Sequence, residues 1–348
     1  MKYKNIEKII LIGGSFLLAE LIKKTKGKIG LPLVIFTNPR YLNEDFDGLT
    51  LKSILNKYKI KYYLISDINN DKNLAKEITK NSLAIAMGSW FFEKKTVKKF
   101  SKNHLLDFMS IDLPRYRGGA HHSWRIMHQN YQSSINLQII KGGQETFQKG
   151  EVIKRQEFIF SNNLIKPVDF YNYSLKKEIN FFLEFINDIK KAKNFVLQRL
   201  DENQSSHYPS LFTKLHGLID WSWQGKDIYL FINAFDDPYS GANAYWQGQK
   251  IYLSDCQLLP QPEAYHPFTS GLVVRQNKNG IFVATIGNLL QIKKVLDEKG
   301  REIFKKIKAG DRFYAPPTEL LKSRILKVSY DNNGLKIHNK DLKYEFNV

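Results

Sequence analysis

Between residues 103 and 151 the sequence gathers groups that can handle protons, anions or an electron-rich oxygen. Asn103 and His104 stand just ahead of an apolar run, Asp107 interrupts that run, and Asp112 follows it. Arg115 and Arg117 sit inside the hexapeptide Leu113-Pro114-Arg115-Tyr116-Arg117-Gly118, His121 and His122 come just after it, and Glu145 and Glu151 supply carboxylates further on. Imidazoles titrate near neutral pH, positioned carboxylates move protons, and guanidinium groups grip planar anions. Each residue type also has a plainer use. Loop histidines pack or face water, and arginines beside a glycine shape a loop as readily as they bind an anion.

These groups need a scaffold, and the first half of the chain reads as an α/β domain with a mostly parallel sheet. Residues 9–12, 33–37, 61–66, 83–86 and 106–111 read as strands, and 15–24, 51–58, 73–80 and 94–101 as the helices between them. A ligand crevice is expected beyond the carboxyl ends of the first, fourth and fifth strands. Gly13-Gly14 follows the first strand but lacks the GxGxxG spacing of a dinucleotide site. Beyond residue 150 the texture changes: 174–200 has helical periodicity, and 201–210, polar and ending near Pro209, reads as a linker. Short β runs follow at 244–253, 271–276, 280–286, 324–330 and 334–338, the pattern of a small open barrel. The expected division is 1–200, a linker at 201–216, and a C-terminal domain at 217–348.

At 348 residues two cores are expected. The single cysteine, Cys256, cannot close an internal disulfide, and no thiolate metal spacing surrounds it, so no metal is expected and a reducing cytoplasm is the simplest compartment. The basic start and apolar run at 9–18 are broken by Gly13, Gly14 and Ser15, which favours a strand turning into a helix over a signal peptide. No segment reaches the roughly 20 apolar residues of a membrane span. The formal charge of +19 attracts polyanions, although short solvated lysine runs such as 23–28 and 94–99 produce the same total without any nucleic acid.

The hexapeptide resembles the LPxYRG loop of the folate-dependent formyltransferases that act on methionyl-tRNA and nucleotide-linked sugars. It follows a strand preceded by Met87-Gly88-Ser89-Trp90, similar to the turn lining that family's folate pocket. Gly217-Leu218-Ile219-Asp220-Trp221, Ala234-Phe235 and Pro238-Tyr239-Ser240-Gly241-Ala242 resemble the opening of the family's C-terminal domain, and Gly310-Asp311-Arg312-Phe313 a turn near its end. The resemblance implies a Rossmann-like formyltransferase domain followed by a small OB-like β domain. It implies 10-formyltetrahydrofolate as co-substrate, with Met87, Gly88, Ser89, Trp90, Leu113, Pro114, Arg115 and Gly118 around it. Glycine at 88 and 118 lets backbone approach a flat ligand closely.

The family's chemistry uses an Asn-x-His pair at the end of the fifth strand and an Asp in a following loop. Counting from Pro114 and from Gly150-Glu151-Val152-Ile153, these positions hold Asp107, Met109 and Gln148. A thioether donates no hydrogen bond, and an ionised Asp107 repels an oxyanion. His121 or His122 is the nearby substitute for the electrophile; the alternative is an Asp107 kept protonated in a dry pocket. The aromatic group Trp221, Trp223, Tyr229, Phe231, Phe235, Tyr239, Tyr245 and Trp246 reads as packing between domains rather than base stacking.

Three functions follow from these residues. One is formyl transfer to an amine acceptor, either methionyl-tRNA, suggested by the basic charge, or a nucleotide-linked amino sugar, suggested by the atypical stretch 154–216 and the divergent loop 119–124. The second is a catalytically inactive folate- or nucleotide-binding family member, and the third an RNA-binding module without folate.

Overall fold

The computed structural model describes residues 1–46, 48–88, 90–260, 265–331 and 334–338. Strands β1 (Lys8–Ile12), β2 (Leu33–Thr37), β3 (Lys61–Leu64), β4 (Ser82–Met87) and β5 (Leu105–Met109) run parallel. Two further strands, β6 (Gln132–Ile139) and β7 (Val152–Ile159), add antiparallel to one edge, giving the order β7-β6-β5-β4-β1-β2-β3. The order reverses between β1 and β4, the switch point beyond which such sheets bind ligands. Helix α1 (Ser15–Ile29) follows β1, α2 (Leu51–Lys57) and α3 (Lys72–Glu77) flank β3, and the single turn α4 (Lys94–Val97) precedes β5. Local chemistry sets these starts: Thr50 and Ser53 close a capping box on α2, and the Asp71 carboxylate accepts the Leu74 N–H at 2.6 Å to open α3.

Both faces of the sheet are covered, as a parallel sheet requires. One face buries Ile9, Leu11, Leu83 and Ile85 beneath α1 and the long helix α6 (Pro167–Lys190), whose Phe181, Phe182 and Phe185 are fully buried. The other face packs Ile10, Ile12, Phe36 and Ala84 against Trp90, Phe92 and Phe100. Removing one such aromatic ring costs about 3–5 kcal/mol.

Helix α5 (His121–Met127) leads into β6, and α7 (Gly225–Ala234) opens the second layer. There β8 (Ala242–Trp246), β9 (Gln249–Leu259), β10 (Val273–Asn277), β11 (Gly280–Ala284) and β12 (Leu289–Asp297) form one antiparallel sheet in the order β8-β9-β12-β11-β10. Helix α8 (Pro317–Ile325) and a hairpin of Lys327–Asp331 with Gly334–His338 close the described chain. One buried cluster joins Ile126, Phe160 and Phe170 to Ile228, Phe231 and Phe235, so the two layers share a core.

Several elements differ from the sequence expectation. The helix expected at 174–200 starts earlier, at Pro167, because proline fits the first helical position and Asp169 accepts the Lys166 N–H at 2.9 Å. It stops at Lys190, after which the chain returns to the first sheet through Phe195 and Gln198. The run 244–253 is two strands joined at Gln247-Gly248, both at positive φ. The strand expected from 324 begins at Lys327, Arg324 and Ile325 belonging to α8. The segment 201–210 is pinned to the hexapeptide: His207–Tyr208 pairs in parallel with Arg117–Gly118.

Candidate active site

Beyond β1, Gly13 approaches β4 so closely that a Cβ there would stand 3.0 Å from the Met87 carbonyl, and a Cβ on Gly14 would meet the Tyr41 ring at 2.2 Å. Tyr41 thus covers the turn and leaves no cradle for a pyrophosphate, in line with the missing GxGxxG spacing. Met87 is buried at the end of β4, Gly88 is exposed at φ 96°, and Trp90 is buried against the sheet. Ser89 lies outside the described residues.

The loop after β5 is held by a buried polar lattice that the sequence reading missed. Ser134 and Asn136, both fully buried on β6, donate to the Ile111 carbonyl at 2.8 and 2.7 Å. From β7, Arg155 donates to the Leu113 carbonyl at 2.7 Å and to Asp112 at 3.0 Å, and Asp112 also meets Arg115 at 2.8 Å. Leu113 is buried, and its bond to Pro114 is cis.

Arg117 is 5% exposed and grips Glu202 with both terminal nitrogens, at 2.6 and 2.8 Å. It therefore builds the loop, while Arg115 keeps nearly half its side chain in water. The close approach that Gly118 permits is to protein: a Cβ there would lie 1.9 Å from the Tyr208 carbonyl.

Two of the three substituted positions converge. Asp107 and Gln148 line one cavity with Trp90, Phe92, Gln138 and Thr146. Asp107 keeps slight solvent contact, yet the protein around it pushes its carboxyl up to about 7 by desolvation. Gln148, at φ 56°, accepts the Gly118 N–H at 3.2 Å and ties the following loop to the hexapeptide. Met109 faces elsewhere, packed with Ile111, Leu113 and Leu200.

The substitute histidines do not reach this cavity's lining. His122 is enclosed by the rings of Phe160, Phe170 and Tyr171 at 6.0–6.5 Å, and burial, with Arg125 nearby, pushes it down to about 3. His121 meets the Tyr116 backbone, and burial lowers it to about 4. Among the described residues neither Nδ1 has a hydrogen-bond partner, and the lowering by burial leaves each ring a neutral imidazole at physiological pH. His104 is occupied by the Ser82 carbonyl and the Tyr3 ring. Glu145 pairs with Lys94 and Glu151 with Lys141, so neither is a free base. A further acid escaped the sequence reading: Glu178 on α6 is buried beside Ser110 and Ser174, and desolvation raises its pKa.

The cavity between Asp107 and Gln148 measures about 20 Å³, room for one water. Its donor set, an acid and two amides beside aromatic rings, suits a flat polar ligand. Its size does not, and a pteridine requires the 140–148 loop to move aside.

Residues 212–308 match the family model for the formyl transferase C-terminal domain. The methionyl-tRNA formyltransferase of Clostridium tetani is 21% identical over 249 residues, spanning 70% of this chain and 76% of that one. Residues 212–308 thus carry a formyl transferase C-terminal domain. The Acetivibrio thermocellus methionyl-tRNA formyltransferase is 25% identical over 55% of this chain and 58% of its own length. Among solved structures, an N-formyltransferase from Helicobacter canadensis, in complex with folinic acid and dTDP-3-aminofucose, superposes at a TM-score of 0.61 with 18% identity, over 82% of this chain and 98% of that one. HypX from Aquifex aeolicus, in complex with tetrahydrofolic acid, covers 95% of this chain and 53% of its own at a TM-score of 0.54 and 16% identity. At these identities the likeness establishes the fold. The chemistry of this chain has to be read from its own residues.

Proposed function

We propose that this chain is a formyltransferase-family binding protein that does not transfer formyl groups by the family's Asn/His/Asp route. The observation that carries the reading is the state of the three positions. Met109 is packed among aliphatic side chains, the Gln148 side-chain oxygen is taken by Gly118, and Asp107 faces a space the size of one water. An oxyanion donor lost from such a site costs roughly two to three orders of magnitude in rate, and here both donors are gone. We propose the division 1–200, 201–216 and 217–348 for its two domains, the second OB-like. Among the described residues no helix is long and apolar enough to cross a membrane.

Calorimetric titration with 5-formyltetrahydrofolate, followed by transfer assays from 10-formyltetrahydrofolate to methionyl-tRNA and to amino-sugar nucleotides, tests this. No turnover is expected with any acceptor. Turnover comparable to a family enzyme overturns the reading.

A second reading has its own support. An Asp107 carboxyl near pH 7 is substantially protonated in the neutral range, and a protonated acid donates a hydrogen bond where an ionised one repels. If that group replaces the lost electrophile, formyl transfer survives at low rate, falls as pH rises through about 7, and disappears in Asp107→Ala.

A further inference from the structure

A cavity of about 550 Å³ opens where α5, the connecting segment, α7 and α8 meet, away from the residues around Asp107. Its body is aromatic and aliphatic: Trp124, Met127, Leu218, Trp223, Phe231 and Phe235. The rings are held in place. The Trp124 indole N–H donates to the Pro209 carbonyl at 2.9 Å, and its face stacks on His128 at 6.1 Å. Trp223 meets Phe231 edge-on at 5.2 Å.

The polar groups in the lining are His216, Asp227, Ser323, Arg324 and Lys327, and the single carboxylate, Asp227, is exposed to water on α7. His216 is saturated: its Nδ1 accepts the Phe212 N–H at 2.8 Å, which leaves the proton on Nε2, facing the Leu326 carbonyl at 3.0 Å. Arg324 and Lys327 come from the end of α8 and the residue that starts the next strand. Arg324 spends one terminal nitrogen on Asp220 and is half exposed. Lys327 is exposed, with no side-chain partner among the described residues. The volume lies within the range of small-molecule sites, and a mostly apolar wall with a few convergent polar groups is their usual composition.

We propose that this cavity binds a flat aromatic ring carrying an anionic group, the ring between the tryptophans and the anion on Arg324 and Lys327. Aromatic walls stack on such a ring, and two cations on one side fit a carboxylate or a phosphate. The proposal goes beyond the loss of formyl transfer and does not rest on it. Two sources share the chemistry, a nucleoside monophosphate and an aromatic carboxylate.

The test titrates the full-length protein with UMP and with indole-3-acetate, each beside its uncharged counterpart, uridine or indole, by calorimetry. At least one anion is expected to saturate below about 1 mM, with its uncharged counterpart about tenfold weaker. Binding should weaken as salt rises. Lys327→Glu, on an exposed side chain and with an unchanged melting temperature, should weaken the anion about tenfold, and Trp223→Leu should abolish binding. Saturation by UMP alone identifies a nucleotide site, and saturation by indole-3-acetate alone an aromatic acid site. The proposal fails if neither anion saturates, or if the Lys327→Glu protein binds them as tightly as the parent.

Discussion

Asp107 is the residue at which the site's chemistry can be read most directly. Its carboxyl titrates near 4 in an unfolded chain and is pushed up to about 7 in the folded one. Between those values the folded state holds more protons than the unfolded state, so stability must fall as pH rises from about 4 to about 7 and level off above. Asp107→Asn removes the titration. Its unfolding free energy in urea should match the parent's near pH 4 and exceed it by about 1–3 kcal/mol at pH 8, a figure reduced for the carboxyl's residual water contact. A difference that stays constant with pH shows that the carboxyl is not held neutral. This pressure was partly legible beforehand, since an acid inside an apolar run invites the idea of a dry pocket. The sequence could not say that His121 and His122 turn away from the cavity, because α5 packs them against the hexapeptide backbone and a ring cluster formed by distant segments.

Among the elements, the parallel strands were readable because β1, β2 and β4 are short apolar runs closed by turn residues. Strands β6 and β7 were not. Ser133, Ser134, Asn136 and Gln138 are all buried on β6, which breaks the apolar signal that marks an inner strand. Their purpose lies outside the strand: Ser134 and Asn136 hold the Ile111 carbonyl, while Gln138 holds the Gly150 carbonyl at 2.7 Å. Asp112 and Arg155 complete the lattice, the acid fully buried, the arginine mostly so, and the two facing each other at 3.0 Å. Removing one member of a buried pair strands the other, so Asp112→Ala should lose about 3–5 kcal/mol in chemical denaturation. Adding Arg155→Met should cost less than the sum of the single changes by about 1–3 kcal/mol, the coupling read by a double-mutant cycle. Additive losses mean that the ion pair does not hold the loop. The same cycle on Arg117 and Glu202 should give a smaller coupling, about 1 kcal/mol, because the glutamate is half exposed.

For the whole molecule the question is whether a charge of +19 reflects recognition or only composition. The described ion pairs neutralise part of it locally: Glu77 engages both Lys8 and Lys61, and Asp188 both Lys154 and Lys193. Lys98, Lys99 and Lys102 remain exposed on one stretch of surface beside β5, with no side-chain partner among the described residues. A field of this kind binds any polyanion through counterion release, with affinity falling steeply and linearly on a log–log plot against salt. Filter binding of initiator tRNA and of an unrelated RNA of equal length should therefore give the same slope and affinities within about threefold at each salt concentration. If initiator tRNA keeps its affinity at high salt while the unrelated RNA is released, contacts other than phosphate neutralisation are at work. Equal release of both RNAs makes the lysines a solubilising coat and leaves the small-molecule cavities as the sites where specificity resides.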